Sequence, residues 1–396
     1  MTDDLILKQV HDEWKQRGFP YYPKDKKWRD KTFNKLINFK RDTLINIDKD
    51  KDKKIYKSIG QAAHGLNLAW SYMEHSWGIK CGKMKTPMEV WDDEEHLKKG
   101  INKILSGTFF KIKSSSTTKS DLGSEYSKTK KENNNIGITE SDMRSMLRRY
   151  SGTQMVSNFR PTAAAVMYDL FVDKDSPLEG TMAGTVWDPS MGYGGRLLGA
   201  ISSGVNYIGT DPCIPTYKGL EQIRDEYGRK DKSYTLLKQG SETYIPEDNS
   251  LDFVFTSPPY FGWEAYGNEP EQSSIKFSTS DMWKEKFLKQ TIANAYKGLK
   301  PNKYLALNVA NTKQYKTFEE DTVDLAKQVG FTHTDTWWLS LSTQQGGSKK
   351  SNLDKHGVKV TKKIEDPKQK QQYMGEYKRP DVAGRKFEPV FIFKKC

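Results

Sequence analysis

From residue 185 to residue 341, short apolar runs alternate with longer amphipathic stretches, and this alternation limits what the chain can fold into. Thr185-Val186-Trp187-Asp188-Pro189 reads as a strand edge, followed by a glycine loop and the helix-forming stretch RLLGAISS. Asn206 to Thr210 predicts a second strand, Thr216 to Tyr227 a helix, YTLLKQ a third strand and Leu251 to Phe255 a fourth. A helix over 280–299, the strand KYLALNVA, a helix over 317–329, and the strands HTDTWWLSL and PVFIF complete the series. Parallel strands need a crossover of about a dozen residues, usually a helix, so this order predicts an α/β fold built on a doubly wound, mostly parallel, seven-stranded sheet. Ligands of such sheets bind beyond the carboxyl ends of the strands, near the point where strand order reverses.

Those strand ends carry the unusual residues. The fourth strand stops at Thr256-Ser257-Pro258-Pro259-Tyr260, because two prolines cannot donate to a sheet ladder. The stiff extended exit aims the Ser257 hydroxyl, the Pro258 carbonyl and the Tyr260 ring at one region, a set able to hold a planar amino-bearing ring. After the first strand, Gly192, Gly194 and Gly195 let backbone approach a ligand closely and open a helix N-terminus. Leu197 stands where a third glycine of a dinucleotide fingerprint would be. Asp211 closes the second strand, where an acid can accept ribose hydroxyls. The loop and the acid together point to an adenosine-type ligand.

Other chemistries find little support. Cys81, Cys213 and Cys396 are far apart, with no CxxC, which fits a reducing compartment and no structural zinc. The six histidines form no metal-binding spacing, so no metal site is expected. With 35% hydrophobic and 29% charged residues and a mean hydropathy of −0.81, no apolar run approaches the ~20 residues of a membrane span, and no secretory signal is seen. The expected location is the cytoplasm.

The net charge of +13 is unevenly placed. Residues 1–150 hold 31 Lys and Arg against 21 Asp and Glu, and residues 343–387 hold 12 against 5, leaving a mildly acidic remainder. Two basic segments flanking an acidic core point to a polyanion, with nucleic acid the obvious partner. Residues 1–112, rich in aromatics such as Trp14, Trp70, Trp77 and Trp91, read as a mainly α-helical accessory domain whose aromatics form a core. Leu36, Ile37, Phe39 and Leu44 fit a helix ending near Asn46, and DKDKDKK (48–54) is a charged turn. Residues 113–135 form a flexible linker and 136–396 a catalytic domain. Within it, 343–387 interrupts the last β-hairpin as a basic insertion suited to contacting phosphates. Arg144, Arg148 and Arg149 lie on one helix and face phosphates or water.

Taken in order, Asp188-Pro189-Ser190-Met191-Gly192-Tyr193-Gly194-Gly195, Asp211-Pro212, Gly240-Ser241-Glu242 and Thr256-Ser257-Pro258-Pro259-Tyr260 resemble the S-adenosylmethionine-dependent amino-methyltransferases of DNA, of phage and bacterial type. Asn158-Phe159-Arg160-Pro161-Thr162 resembles that family's additional cofactor motif. The resemblance covers residues 150–342 and the last strand, Glu388 to Lys395. It implies a Rossmann-like sheet and S-adenosylmethionine as cofactor. Asp188, Pro189 and the Met191–Gly195 loop would hold the methionine moiety with Phe159, Arg160, Pro161 and Thr162. Asp211 would take the ribose hydroxyls and Ser241 and Glu242 would border the adenine, with Pro212 and Thr256 also among the cofactor-binding residues. A flipped base would stack on Tyr260, its amino group donating to Ser257 and the Pro258 carbonyl, with Pro259 fixing the turn. Serine at 257 resembles the N4-cytosine enzymes more than the N6-adenine ones. An RNA or other amino-group methyltransferase, and a non-catalytic DNA-binding protein with a vestigial pocket, are the alternative readings.

Overall fold

In the structure, a computed structural model, residues 3–49, 55–107, 138–149, 152–172, 184–341, 352–353, 359–360 and 387–396 are described. The chain divides into two compact units, one from Met1–Tyr22 and Glu74–Val156, the other from Pro23–Met73, Ser157–Ser342 and Ser351–Cys396.

The second unit holds the sheet. Its strands are β1 (Ile45–Lys49), β2 (Ile55–Ile59), β3 (Thr185–Asp188), β4 (Asn206–Thr210), β5 (Tyr234–Leu237), β6 (Leu251–Thr256), β7 (Leu299–Asn308), β8 (Phe331–Ser340) and β9 (Phe387–Lys395). They lie in the order β1-β2-β8-β9-β7-β6-β3-β4-β5. The run β5-β4-β3-β6-β7 is parallel throughout. It is extended by β9, antiparallel to both β7 and β8. The helices Gly195–Ser203 and Ile214–Tyr227 carry the chain from β3 outward to β5. Later crossovers build outward on the other side, from β6 to β7. The order therefore reverses between β3 and β6, the switch point of a Rossmann-like, doubly wound sheet.

Burial explains why these runs became strands. Trp187, Val254, Leu305 and Leu307 point from the sheet into a cluster with Trp283, Ile292 and Phe318 from the covering helices. All seven expected strands are present. The expected helix over 280–299 is continuous but contains a π-helical segment, Lys284–Leu288, between Ser280–Trp283 and Lys289–Gly298.

Two strands are additional, and they correct the expected division at residue 112. The helix Lys26–Ile37 stops well before Asn46, and β1 and β2 then form an antiparallel hairpin. The hairpin joins the sheet edge through Ser58 and Ile59 of β2, parallel to Trp338 and Leu339 of β8, and Lys57 is ion-paired with Asp335. Buried Arg29 binds the Glu226 carboxylate at 3.1 Å and lies 3.7 Å over the Tyr72 ring. Residues 23–73 thus pack with the sheet unit. The two five-residue strands flank the charged run DKDKDKK (48–54), so the segment resembled a helix followed by a turn.

The first unit is helical. Its helices are Asp3–Arg17, Pro87–Asp92, Glu94–Leu105 and Glu140–Arg149. Thr86 and Glu89 form a reciprocal capping box that starts the second of these. Trp14, Trp77 and Trp91 are buried, as the core reading expected. Arg144 donates to the Tyr21 carbonyl at 2.9 Å and Arg148 to the Tyr22 hydroxyl at 2.8 Å, so both brace this unit internally. The linker 113–135 lies outside the described residues, as does the insertion 343–387 apart from residues 352–353, 359–360 and 387. Among the described residues, no helix is long and apolar enough to cross a membrane.

Candidate active site

The loop after β3 is shaped by its glycines. Gly192 and Gly194 have φ of 51° and 83°, a region that side chains with a Cβ adopt at a cost. A Cβ on Gly195 would sit 1.8 Å from the Phe159 carbonyl oxygen, so the segment before the helix Pro161–Phe171 crosses directly against the loop. The Asn158 amide ties the two by donating to the Tyr193 carbonyl at 2.9 Å.

Beneath the loop lies a buried polar knot. Asp188 is fully buried and accepts from Arg196 Nε at 2.8 Å and from the Tyr207 hydroxyl at 2.8 Å. Arg196 also donates to the Ser190 carbonyl. Burial works against the Arg196 charge, but the adjacent Asp188 carboxylate outweighs it and raises the guanidinium pKa. Burial, reinforced by Asp188, likewise raises the Tyr207 phenol. The Asp188 carboxylate is turned inward toward Arg196 and Tyr207, beneath the loop expected to hold the methionine moiety. Thr162 is fully buried, and its hydroxyl donates to the Ala62 carbonyl at 2.9 Å. Pro189 accepts from the Thr210 hydroxyl, and Met191 is buried with its N–H on the Thr210 carbonyl.

Asp211 stands at the end of β4. Its two carboxylate oxygens accept from the N–H groups of Gly192 at 3.0 Å and Cys213 at 2.9 Å. Burial pushes its pKa up to about 6, against the downward pull of those two amides. Burial and Asp211 push the Cys213 thiol up to about 11, which leaves it unreactive at neutral pH. Beyond β5, the Ser241 hydroxyl meets Thr291 at 2.8 Å, and the Ser241 and Glu242 carbonyls accept from Asn294. Glu242 Oε1 pairs with Lys276 at 2.8 Å. Among the described residues, two buried oxygens at these strand ends have no hydrogen-bond partner, Glu242 Oε2 and Thr256 Oγ1. Buried polar atoms are normally satisfied, so each marks a position a polar ligand would complete.

At the end of β6, Ser257 is half-buried and its hydroxyl donates to Asn308 Oδ1 at 3.0 Å. The half-buried Tyr260 ring packs edge-on to Phe318 with centroids 5.7 Å apart. Burial raises the Tyr260 phenol well above its ordinary pKa, helped by Glu388, Glu264 and Glu319. The chain then returns over the neighbouring strand ends. Glu269 accepts the Ile214 N–H at 3.0 Å, and Lys276 reaches Glu242. Trp263 and Tyr266 in this stretch are half-buried.

The topology thus gathers the glycine loop, Asp211, Ser241-Glu242 and Ser257 to Tyr260 on the carboxyl ends of β3, β4, β5 and β6. Sequence reasoning missed Arg196, Tyr207, Lys276 and Asn308. Arg196 opens a helix directly after the glycine loop, which is the one signal that could have marked it.

Among solved structures, the chain is similar to an SAM-dependent methyltransferase from Methanosarcina mazei at 13% identity, over 58% of this chain and 96% of that one, with a TM-score of 0.33. A TehB-like SAM-dependent methyltransferase from Corynebacterium glutamicum is similar at 12% identity, over 61% and 90% of the two chains, with a TM-score of 0.32. TrmN from Thermus thermophilus is similar at 15% identity, over 60% and 49%, with a TM-score of 0.32. No family model and no curated protein matches the chain.

Proposed function

We propose that this chain transfers a methyl group from S-adenosylmethionine to the exocyclic amino group of a base in DNA, at N4 of cytosine in preference to N6 of adenine. One observation carries the reading. The glycine loop follows β3 and Ser257-Pro258-Pro259-Tyr260 follows β6, and these strands are neighbours at the point where the sheet order reverses. A cofactor site and an amino-binding site on adjacent strand ends put donor and acceptor side by side.

The residues fit the cofactor. Asp211 offers lone pairs for ribose hydroxyls, the Gly192–Gly195 turn admits a close backbone approach, and Glu242 Oε2 and Thr256 Oγ1 lack partners among the described residues. Asp188 and Arg196 act by holding the loop in shape. S-adenosylmethionine supplies a methyl group on a good leaving group, so the protein's work is positioning and local electrostatics. Tyr260 holds the base, whose two amino hydrogens go to Ser257 Oγ and the Pro258 carbonyl. Those contacts draw the nitrogen lone pair out of conjugation with the ring. No cysteine or histidine nucleophile is required, which matches a site built from Ser, Pro and Tyr. Serine rather than Asp or Asn at 257 supports cytosine. The basic balance of residues 1–150 and 343–387 supports a nucleic-acid substrate.

The test is incubation with mixed-sequence duplex DNA and methyl-labelled cofactor, followed by mass spectrometry of the nucleosides. N4-methylcytosine is the expected product. Label in RNA and none in DNA would contradict the proposal.

A further inference from the structure

Ser257 carries a single proton, and the structure shows where it goes. Asn308 is the last residue of β7, pairs with Val390 of β9 and is 3% exposed. Its Nδ2 donates to the Pro389 carbonyl at 3.0 Å, and its Oδ1 lies 3.0 Å from Ser257 Oγ. The amide cannot be turned over, because that would set Oδ1 against the Pro389 carbonyl oxygen with no proton between them. With Oδ1 fixed toward Ser257, the serine proton is committed to it. The serine lone pairs are then left for an incoming donor.

We infer that Asn308 is a positioning residue that turns the Ser257 hydroxyl into a pure acceptor, so that the site selects a primary amino group over an acceptor atom. This rests on the proposed amino-methyl transfer. An Asp or Asn at 257 would present a carbonyl or carboxylate oxygen and need no such partner. A serine is ambivalent between donor and acceptor, and Asn308 removes the ambivalence. A ring nitrogen or a carbonyl oxygen would find no donor at Ser257, whereas an amino group has one hydrogen for Ser257 and one for the Pro258 carbonyl.

The test is a double-mutant cycle on the full chain, reading kcat, KM for DNA and cofactor Kd for S257A, N308A, S257A/N308A and N308D. N308A should lower kcat about tenfold or more, with KM and cofactor Kd within about twofold of the parent. The double variant should fall no further than S257A, because Asn308 acts only through Ser257. N308D supplies the second readout. Its carboxyl, when protonated, can donate to the Pro389 carbonyl and accept from Ser257, so its activity relative to the parent should recover as pH falls. The parent is the reference because Glu388, Glu319, Glu264, Tyr260 and Tyr266 also face this region. Additive losses in the cycle, or a pH-independent loss in N308D, would overturn the role of Asn308 in an enzyme that still methylates DNA. A parent enzyme that labels no DNA would instead overturn the proposed function, and this inference with it.

Discussion

Asp211 Oδ2 accepts the Gly192 N–H at 3.0 Å, so the acid closing β4 also fixes the turn that follows β3. One side chain thereby couples the shape of the glycine loop to the acceptor proposed for the ribose. It does so as a half-buried carboxyl, with its pKa pushed up to about 6 by desolvation.

Cofactor binding should therefore depend on pH. The ionised carboxylate is the better acceptor, so binding favours ionisation and must expel a proton from the protein below about pH 6. Affinity should hold steady from pH 7 to 8 and weaken toward tenfold per unit below 6, as titration calorimetry would record. D211N should bind weakly at all pH values and lose this dependence. The effect on folding runs the same way for protons: the folded form takes up a proton that the unfolded chain does not, so this group's penalty to stability is full above about pH 6 and relieved as pH falls toward the ordinary carboxylate value. An unchanged affinity in D211N would contradict the ribose role.

Arg196 and Asp188 form an ion pair with almost no exposure. Arg196→Met leaves the Asp188 carboxylate buried with only the Tyr207 hydroxyl and the Ser190 N–H as partners and no cation, and should cost about 3–5 kcal/mol, read from urea unfolding. A loss below ~1 kcal/mol would show that the knot does not hold the loop.

At Gly195 the reason for glycine is steric. Gly195→Ala would drive a methyl group into the Phe159 carbonyl oxygen at 1.8 Å, so backbone must shift. The expected result is a cofactor affinity at least about tenfold weaker in a chain that still folds, because the clash falls on the loop itself. Near-normal binding would show that Phe159 gives way freely.

Tyr260→Ala should leave cofactor affinity within about twofold and reduce DNA turnover by about 10- to 100-fold, the scale of one base–aromatic stacking contact. Tyr260→Phe keeps the ring and should retain most of the activity. Equal loss of cofactor binding and turnover in Tyr260→Ala would remove Tyr260 from the base site.

The strand–helix alternation made the sheet legible, because the central apolar runs of β3 and β6 are buried on both faces and the runs are punctuated by Gly, Pro or Asp. The strand-end residues were legible for a related reason: Pro258, Pro259 and the loop glycines have backbone requirements visible in any context. What each polar side chain bonds to was not legible. For Asp188 and Thr162 the fold supplies Arg196, Tyr207 and the Ala62 carbonyl as partners, some of them from distant positions. The hairpin of β1 and β2 was missed because its strands gain their stability from the edge of β8, some 280 residues away, as in the Lys57–Asp335 contact. Asn308 carried no local signal, being one polar residue at the end of an apolar strand.

The most direct test of the account is nucleoside mass spectrometry of duplex DNA after incubation with the protein and methyl-labelled S-adenosylmethionine, with S257A in parallel. The account predicts label in N4-methylcytosine from the parent protein and little or none from S257A. Label in RNA alone, or equal labelling of DNA by both proteins, would contradict it.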